Sequence, residues 1–426
     1  MGVENNIPEG WMEKNLESVI ELIIDHRGKT PKKLGGDWST EGYRAVSAKT
    51  VKNGRLINED KMNILPKDLY HKWMKCEIEF GDVLLTSEAP LGEHMIWKSK
   101  EKIVLSQRIF GIRTDSEILN PAYFNYFIDS RFFQHELKSR ESGSTVTGIK
   151  QSELLKTKLI FPPLKEQKAI AKVLTAFDDK IELLQAQNKT LETMAQTIFK
   201  EWFGKYQQEL TPPNGWRIFS LSELVDVING YSYKGIDLVE ASNEALVTLK
   251  SFDRNGGFQT RGFKPFKGSP KTQHEVKIGD LVVAHTDLTQ DAEVLGNPAF
   301  IFDNGGFEKM YITMDLVKVI SKNENIGSSF LYYLMKDKYF KGHCVGYSNG
   351  TTVLHLSKKA IPEYKLYLPE NFDLIKKFTK IANDTTNKIS LNKDAIKSLT
   401  KTIDTLLPKL MSGQIRVNNI KQTADA

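Results

Sequence analysis

Basic and polar residues cluster in loops of both halves of this 426-residue chain, and their side chains suit contact with a polyanion. Lysine and arginine can neutralise phosphates, while arginine, glutamine and asparagine can read base edges in the major groove. The candidates in the first half are Arg27, Lys29, Lys32, Lys33, Lys49, Arg55, Gln107, Arg108, Ser144 and Thr145. Those in the second half are Lys250, Arg254, Arg261, Lys264, Lys267, Thr351 and Thr352. The pattern predicts DNA contact in both halves, although each cluster taken alone also fits a solvated surface.

Signatures of catalysis are weak or missing in the sequence. There is no G-x-x-x-x-G-K-[ST] nucleotide loop, no H-E-x-x-H motif and no paired C-x-x-C motif. NPAY (120–123) and NPAF (297–300) resemble the Asn-Pro-Pro-Tyr/Phe motif of adenine methyltransferases, but alanine replaces the second proline. Four histidines without ligand spacing are interpreted as surface or core residues: His274, His285, His343 and His355. We therefore expect no catalytic residue and no metal site.

Composition narrows the class of protein. The formal net charge of +6 permits a polyanionic partner, but many proteins without one are equally basic. Cys76 and Cys344 are too few for a disulfide framework and fit a reducing compartment. The first residues lack the pattern of a signal peptide, and no apolar run reaches the length of a membrane span. These features predict a cytoplasmic protein that does not contact membranes.

The chain contains an internal repeat. Five segments recur in one order: PEGW (8–11) as PNGW (213–216), FGDVLLT (80–86) as IGDLVVA (278–284), YFNYF (123–127) as FLYYL (330–334), SGSTV (142–146) as NGTTV (349–353), and LIFPP (159–163) as LYLPE (366–370). The shift is 205 residues for the first pair, 198 for the second and 207 for the other three. A shared order with a nearly constant shift indicates two copies of one unit.

Each copy is predicted to be a mixed α and β domain of the α+β class. The apolar runs DVLLT, KIVLS, DLVVA and YKLYL are typical of short strands. NPAYFNYFIDSRFFQHEL begins with asparagine and proline, which suit a helix start, and continues with helical apolar spacing. The predicted limits are a first recognition domain 1–163, a first long helix 164–208, a second recognition domain 209–370, a second long helix 371–413 and a C-terminal tail 414–426.

Both predicted long helices have a narrow apolar seam of the kind found in coiled coils. The first seam contains Ile170, Phe177, Leu184, Leu191 and Ile198, spaced by seven residues. The second contains Ile389, Ile396, Ile403 and Leu410, with Leu399 in the neighbouring row. At ~1.5 Å per residue, the roughly 40 residues of the first helix make a rod about 60 Å long.

One asparagine lies near the midpoint of each seam: Asn188 in the first and Asn392 in the second. Two similar helices related by an internal two-fold run antiparallel, so that their midpoints meet. We therefore expect the two asparagines to lie close together, since a polar seam residue needs a polar partner and can fix register. The alternative is that both are solvated at the edge of the seam.

A helix pair that holds two related domains at a fixed separation suits DNA half-sites one or more helical turns apart. The segment SGSTVTGIKQSELLKTKLIFPPLKEQKAIAKVLTAFDDKIELL resembles the junction of a recognition domain and a long helix in one family. This family is the specificity subunit of type I restriction–modification systems. PEGW, PNGW, GDVLLT, GDLVVA and DHRGKTPKK are also similar to it, whereas PENFDLIKKFTKI in the second copy lacks the Glu-Gln pair.

The resemblance implies a non-catalytic subunit in which each recognition domain reads one half of a split DNA site. It implies that the helices set the spacer and dock two methyltransferase subunits, which carry S-adenosylmethionine. ATP and Mg are then expected on motor–nuclease subunits that complete the complex. Two alternatives remain open from the residues alone: a stand-alone adenine DNA methyltransferase, and a coiled-coil scaffold without a DNA role.

Overall fold

A computed structural model describes residues 7–143, 147–209, 211–252 and 257–417. The chain forms two compact units. The first unit comprises 1–182 with 396–426, and the second comprises 183–395. The predicted domain limits, which assign each long helix to a segment of its own, remain predictions. In the part of the chain that the structure describes, no helix is both long and apolar enough to cross a membrane.

The first unit combines short strands with helices. Its strands are β1 (Met12–Asn15), β2 (Ile20–Asp25), β3 (Tyr43–Val46), β4 (Val51–Lys52), β5 (Arg55–Leu56), β6 (Ile64–Leu65), β7 (Val83–Thr86), β8 (His94–Ile96), β9 (Val104–Leu105), β10 (Ile109–Thr114) and β11 (Lys158–Phe161). Its helices are α1 (Tyr70–Trp73), α2 (Pro121–Ile128), α3 (Arg131–Ser139), α4 (Gln151–Leu154) and the first part of α5 (Leu164–Trp202).

A four-stranded antiparallel sheet in the order β2-β10-β7-β8 is the centre of the first unit. Alternate side chains of a strand point to opposite faces of a sheet. In β7, Val83 and Leu85 accordingly join the core beneath α2 and α3, while Leu84 joins a second core with β3 and β9. Strand β3 pairs antiparallel with β6 and parallel with β9, and β1 pairs with β11.

The second unit has the same architecture. Its strands are β12 (Trp216–Ser220), β13 (Val225–Asn229), β14 (Glu244–Val247), β15 (Lys264–Pro265), β16 (Glu275–Val276), β17 (Leu281–Ala284), β18 (Thr286–Asp287), β19 (Pro298–Phe300), β20 (Lys309–Ile312), β21 (Leu316–Ser321), β22 (Ser348–Asn349), β23 (Leu354–Leu356) and β24 (Lys365–Pro369). Its helices are α6 (Leu221–Leu224), α7 (Ser328–Met335), α8 (Lys338–Gly346), α9 (Ala360–Glu363) and the first part of α10 (Asp373–Met411).

Strand order repeats between the units. The central sheet of the second unit is β13-β21-β17-β19, which matches β2-β10-β7-β8 strand for strand. Strand β14 has one antiparallel neighbour, β15, and one parallel neighbour, β20, as β3 does in the first unit. Strand β12 pairs with β24, as β1 pairs with β11. The α+β fold with an internal repeat is therefore confirmed.

Two turns show the repeat in atomic detail. In PEGW and PNGW the tryptophan N–H donates to the proline carbonyl, at 2.9 and 3.0 Å, and the glycine between them has φ +77° in both copies. This positive φ explains the glycine, because side-chain-bearing residues rarely adopt it. Before β7 and β17, the aspartate of each Gly-Asp pair accepts a backbone hydrogen bond three residues upstream, from Glu79 or Lys277 at 2.8 Å.

The long helices run antiparallel. In the second unit, Phe378 of α10 contacts Phe199 and Trp202 of α5, while Asn392 meets Asn188, so that numbering rises along one helix as it falls along the other. Asn392 Nδ2 donates to Asn188 Oδ1 at 2.9 Å, and Asn392 is 2% exposed. The seam residues are buried or partly buried: Ile170, Phe177, Leu184, Leu191, Ile198, Ile389, Ile396, Leu399, Ile403 and Leu410.

The Glu-Gln pair at the start of α5 anchors that helix in the first unit. Gln167 is fully buried, and its amide donates to the carbonyls of Ile118 and Pro162 and accepts from the Asn120 N–H. Glu166 is 8% exposed and binds the guanidinium of Arg416 through both carboxylate oxygens, at 2.8 Å each. The segment that carries the strongest family resemblance therefore fixes where the helix leaves the sheet.

Candidate nucleic-acid interface

Most first-unit candidates lie in loops at one edge of the four-stranded sheet. Three register pairs define this edge: Asp25 with Phe110, Ile109 with Thr86, and Leu85 with His94. Because the sheet is antiparallel, β2 and β7 end where β10 and β8 begin. The loops after β2 and β7 and the turn before β10 therefore leave the sheet side by side.

Backbone hydrogen bonds join these loops. The Ser87 N–H donates to the Arg108 carbonyl at 2.9 Å, and the Ile149 N–H donates to the Ser87 carbonyl at 2.9 Å. The Ala48 N–H donates to the Gln107 carbonyl at 3.2 Å. The structure thus brings the predicted Gln107–Arg108 pair beside the loop after β7 and the segment before α4.

Arg27 is held at the same edge by three contacts. Its guanidinium pairs with Asp25, at 2.7 and 2.9 Å, and donates to the Ile149 carbonyl at 3.2 Å. The guanidinium also lies over the Phe110 ring, 4.1 Å from its centroid. Since reaching a base would break these contacts, Arg27 suits a role in holding the loop and adding positive potential.

Arg108 and Gln107 present a different arrangement. Arg108 has φ +63°, a left-handed conformation that few residues other than glycine adopt, and its Nε lies 3.2 Å from Glu88 Oε1. Gln107 is exposed, and its amide group can both donate and accept hydrogen bonds. Gln107 therefore suits a base contact better than the paired arginine does.

The other first-unit candidates differ in environment. The ammonium of Lys29 donates to the Trp73 carbonyl, and burial, with a smaller contribution from Lys75, lowers the pKa of Lys29. Lys33 donates to the Gly28 carbonyl at 2.7 Å. Like Lys33, three further candidates have exposed side chains: Lys32, Lys49 and Arg55. Ser144 and Thr145 lie outside the described residues.

The equivalent edge of the second unit carries the loop 285–297. Three register pairs define it: Asn229 with Val317, Leu316 with Ala284, and Val283 with Pro298. The loop holds its shape around Asp287, which is 1% exposed. The Asp287 carboxylate accepts hydrogen bonds from the Thr289 hydroxyl and from the N–H groups of Thr289, Val294 and Leu295, at 2.6 to 3.0 Å.

Lys341 of α8 fixes this loop from the other side. Its ammonium donates to the Glu293 and Leu295 carbonyls and to Asn297 Oδ1, at 3.3, 2.6 and 2.8 Å. Burial lowers the pKa of Lys341. The tip of the loop, 288–291, is thus presented on a rigid base, and Leu288 there is 67% exposed. Sequence analysis missed this loop because its only cue was TDLTQD, in which an aspartate precedes threonine by two residues, as in an Asx turn.

The second-unit candidates are divided between surface and core. Exposed side chains belong to Lys250, Arg261, Lys267, Thr351 and Thr352. Lys264 is partly buried, with its ammonium 5.8 Å from the centroid of the Tyr233 ring. Two phenylalanines that lie among these basic residues in the sequence, Phe252 and Phe266, are buried, so their rings serve the core. Arg254 lies outside the described residues.

Two candidate segments approach the sheet edge. The Thr313 N–H, just before β21, donates to the Val247 carbonyl at 3.0 Å, which brings the end of β14 and the Lys250 segment to the edge. Gln290 Nε2 donates to the Thr351 carbonyl at 2.6 Å and so ties the loop 285–297 to NGTTV. Among the described residues, no cluster of histidine, cysteine, aspartate and glutamate is arranged to hold a metal ion.

Comparison with known proteins identifies relatives along almost the whole chain. Residues 8–193 match the family model described as the type I restriction modification DNA specificity domain. The MjaIX and MjaVIII type I restriction enzyme specificity subunits of Methanocaldococcus jannaschii are 25% and 24% identical, each over 97% of this chain and 95% of the relative. The HindI specificity subunit of Haemophilus influenzae is 23% identical, over 87% of this chain and 94% of the relative.

A solved structure agrees with the fold. The S subunit of a type I restriction–modification system from M. genitalium superposes with a TM-score of 0.57 at 19% identity, over 96% of this chain and 98% of that one. These matches support neither the stand-alone methyltransferase nor the scaffold alternative. The relatives that match this chain along almost its whole length are type I restriction enzyme specificity subunits, the family that its sequence resembles.

Proposed function

We propose that this chain is the non-catalytic DNA-specificity subunit of a type I restriction–modification complex, in which each unit reads one half of a split site. The observation that carries the proposal is the repeated sheet edge. Both units have the same strand order, and different loops leave the equivalent edge. A shared frame with different loops is what reading two different half-sites requires, because base contacts depend on side-chain identity.

The helices are proposed to set the spacer between the half-sites. A continuous helix is stiff compared with a loop, so that domains joined by helices are held at a defined separation. The hydrogen bond between Asn188 and Asn392 supports this role, since a buried polar pair in an apolar seam favours one register over its neighbours.

Catalysis is proposed to belong to other subunits. In this proposal the chain docks two methyltransferase subunits that bind S-adenosylmethionine and modify adenine. Motor–nuclease subunits that use ATP and Mg would complete the complex. The specificity subunit then supplies recognition alone, and its partners supply the chemistry.

The test is a domain exchange read out by methylation. Residues 1–160 are replaced by the equivalent segment of another specificity subunit, and methyladenine is mapped genome-wide in cells that also express the methyltransferase partner. One half of the methylated motif should change, while the other half and the spacer stay the same. A change in both halves would contradict the assignment of one half-site to each unit.

A further inference from the structure

We infer that the second unit holds one DNA backbone phosphate in a pocket lined by His285 and Lys358, with His355 beside it. This inference rests on the proposed function, which it deepens by naming a contact that does not read bases. Interpreting both histidines as ordinary surface or core residues left this grouping unnoticed, because the three residues are far apart in the chain.

Strand pairing brings the three residues together. His285 follows β17 directly, and its carbonyl accepts a hydrogen bond from the Leu356 N–H at 2.8 Å. His355 pairs with Thr286 in the β18–β23 ladder, and Lys358 lies two residues beyond Leu356. Burial, with smaller contributions from His355 and Lys358, lowers the pKa of His285, in keeping with this proximity.

The pocket lies beside the recognition edge. A cavity of about 230 Å³ is lined by His285, Lys358, Asp226 and Asn229, the last residue of β13 at that edge. His355 is outside this lining and lies next to it, opposite Thr286 in the β18–β23 ladder. Lys322 lines it as well, but its ammonium is paired with Asp226 at 3.2 Å. His355 and Lys358 have exposed side chains that are open to a ligand, and His285 is partly buried.

Carboxylates near the pocket are already engaged. Asp226 is the partner of Lys322, and Asp315 accepts a hydrogen bond from the Thr286 hydroxyl at 2.8 Å. Asp315 acts against the other influences on His285 by raising its pKa. With Lys322 paired to Asp226, the lining groups that can bind an anion are Lys358 and the protonated form of His285. At a DNA-reading edge the available anion is a backbone phosphate.

The first unit has the same backbone arrangement without the charges. There the Ile149 N–H donates to the Ser87 carbonyl, as Leu356 does to His285. Counting from these equivalent bonds, Ser87 replaces His285, Gly148 replaces His355 and Gln151 replaces Lys358. The phosphate contact is therefore specific to the second unit, and the half-site that this unit reads should depend on it.

The experiment measures DNA binding by the full chain together with its methyltransferase partner, on a duplex containing the mapped site. Lys358→Gln and the triple variant H285N/H355Q/K358Q are compared with Lys359→Gln, which removes a neighbouring exposed lysine outside the pocket. Loss of one phosphate contact lowers the slope of log Kobs against log salt by about 0.9. The ratio of affinities at 50 and 200 mM salt should accordingly shrink about threefold in the triple variant, and K359Q should leave it unchanged.

A second arm removes the phosphate charge. Uncharged methylphosphonates are placed one at a time along the half-site that the second unit reads. One position should weaken binding by the wild type but not by the triple variant, since that contact is already gone. Wild-type affinity should also rise as pH falls from 8 to 6, because a bound phosphate favours the protonated form of His285, and the triple variant should lack that rise.

The outcomes separate the two proposals. If the wild type binds its site but the triple variant keeps the same salt slope, methylphosphonate pattern and pH profile, the pocket holds no phosphate and the proposed function stands. If K359Q matches the triple variant, the effect is general surface charge, which also overturns the pocket. If the wild type does not bind the mapped site at all, the proposed function fails, and the pocket fails with it.

Discussion

The two units share a strand order but differ in how the charged side chains at the edge of the central sheet are paired. In the first unit the arginines at the edge are paired, Arg27 with Asp25 and Arg108 with Glu88. In the second unit a buried carboxylate, Asp287, organises the loop, and the cationic side chains beside it face a cavity. At this edge the backbone hydrogen bonds are repeated between the units, whereas the side-chain ion pairs are not. Duplication has therefore kept the backbone that shapes the loops and varied the side chains that the loops present.

The Gly-Asp turn before the central strand offers the strongest test of the comparison. Asp82 is 2% exposed and binds Arg113 through both oxygens at 2.9 Å, whereas Asp280 is 26% exposed and binds Lys318 at 2.7 Å. Asp82→Ala should lower the free energy of unfolding of the first unit by about 2–3 kcal/mol, because the partly buried Arg113 guanidinium loses its bidentate partner and keeps only Glu79 and the Glu77 carbonyl. Asp280→Ala should cost the second unit only about 1 kcal/mol.

Hydrogen exchange monitored by mass spectrometry measures the stability of each unit in the two variants, because each peptide belongs to one unit. Each substitution should accelerate exchange in its own unit and leave the other unchanged. Equal losses from both substitutions would mean that burial and bidentate geometry do not distinguish the two turns.

The second difference between the units lies at the start of the long helix. The Gln167 amide satisfies two carbonyls and one N–H in the buried first-unit junction, and the second copy has no glutamine there. Gln167→Ala should destabilise the first unit by about 2–3 kcal/mol, because buried polar groups are left without partners. Denaturant unfolding measures the loss.

Gln207→Ala is the matched control for that junction. Gln207 also bonds backbone groups, the carbonyls of Phe203 and Tyr367 and the Tyr367 N–H, but it is only partly buried, so water can replace its bonds. Its loss should cost about 1 kcal/mol. A greater loss than that of the Gln167 variant would show that burial of the helix start is not the deciding factor.

Local signals explain why much of the fold was predictable. Proline, glycine and the seven-residue apolar spacing mark the ends of the long helices, and the structure has them at Leu164–Trp202 and Asp373–Met411. The runs DVLLT and DLVVA lie in β7 and β17. The repeated segments predicted that the elements follow the same order in both units, because each repeat corresponds to a turn, strand or helix found in both.

The candidate site was harder to predict because its contacts join distant parts of the chain. Arg27 meets the carbonyl of Ile149, and Gln290 meets that of Thr351, partners that no local pattern reveals. Phe252 and Phe266 show the same limit, because both rings are buried although they lie among basic residues in the sequence. Composition identified basic loops, and only packing distinguishes a paired arginine from an available one.

The Asp287 loop tests whether the second unit reads DNA through a preformed element. Asp287→Ala removes four hydrogen bonds that shape the loop and should weaken binding to the mapped site by about tenfold, equivalent to about 1.4 kcal/mol. The loss should fall on base discrimination in one half-site only, as measured with duplexes mutated in each half. Thr289→Val, which removes one of the four bonds, is the control and should have a smaller effect.

The paired asparagines test the helix seam within the second unit. Asn392→Ala leaves Asn188 without its partner and should cost about 1 kcal/mol in unfolding free energy. A double-mutant cycle with Asn188→Ala isolates the pairwise term, which should be roughly 0.5–1 kcal/mol. Additive losses would indicate that the two side chains do not depend on each other.

The smallest expected difference is a pH effect confined to the first unit. His94 is buried, with Nδ1 3.2 Å from the Gly92 carbonyl and Nε2 3.5 Å from Asp129. Burial opposes its charge, but hydrogen bonding to Asp129 and Gly92 prevails and raises the pKa of His94. A raised folded-state pKa stabilises the protein below the ordinary value of about 6.5, and this stabilisation is lost as pH rises through the folded-state pKa.

Thermal unfolding between pH 6 and 8 should therefore show a slight fall in Tm as pH rises, with faster exchange in peptides that contain 87–94. The effect is small because Asp129 is 55% exposed and its charge is screened by solvent. The equivalent position in the second unit is Pro298, which cannot titrate, so peptides from that unit should not respond. His94→Gln should remove the pH dependence of the first-unit peptides. If the pH dependence persists in that variant, it does not arise from His94, and the contact of His94 with Asp129 does not depend on protonation.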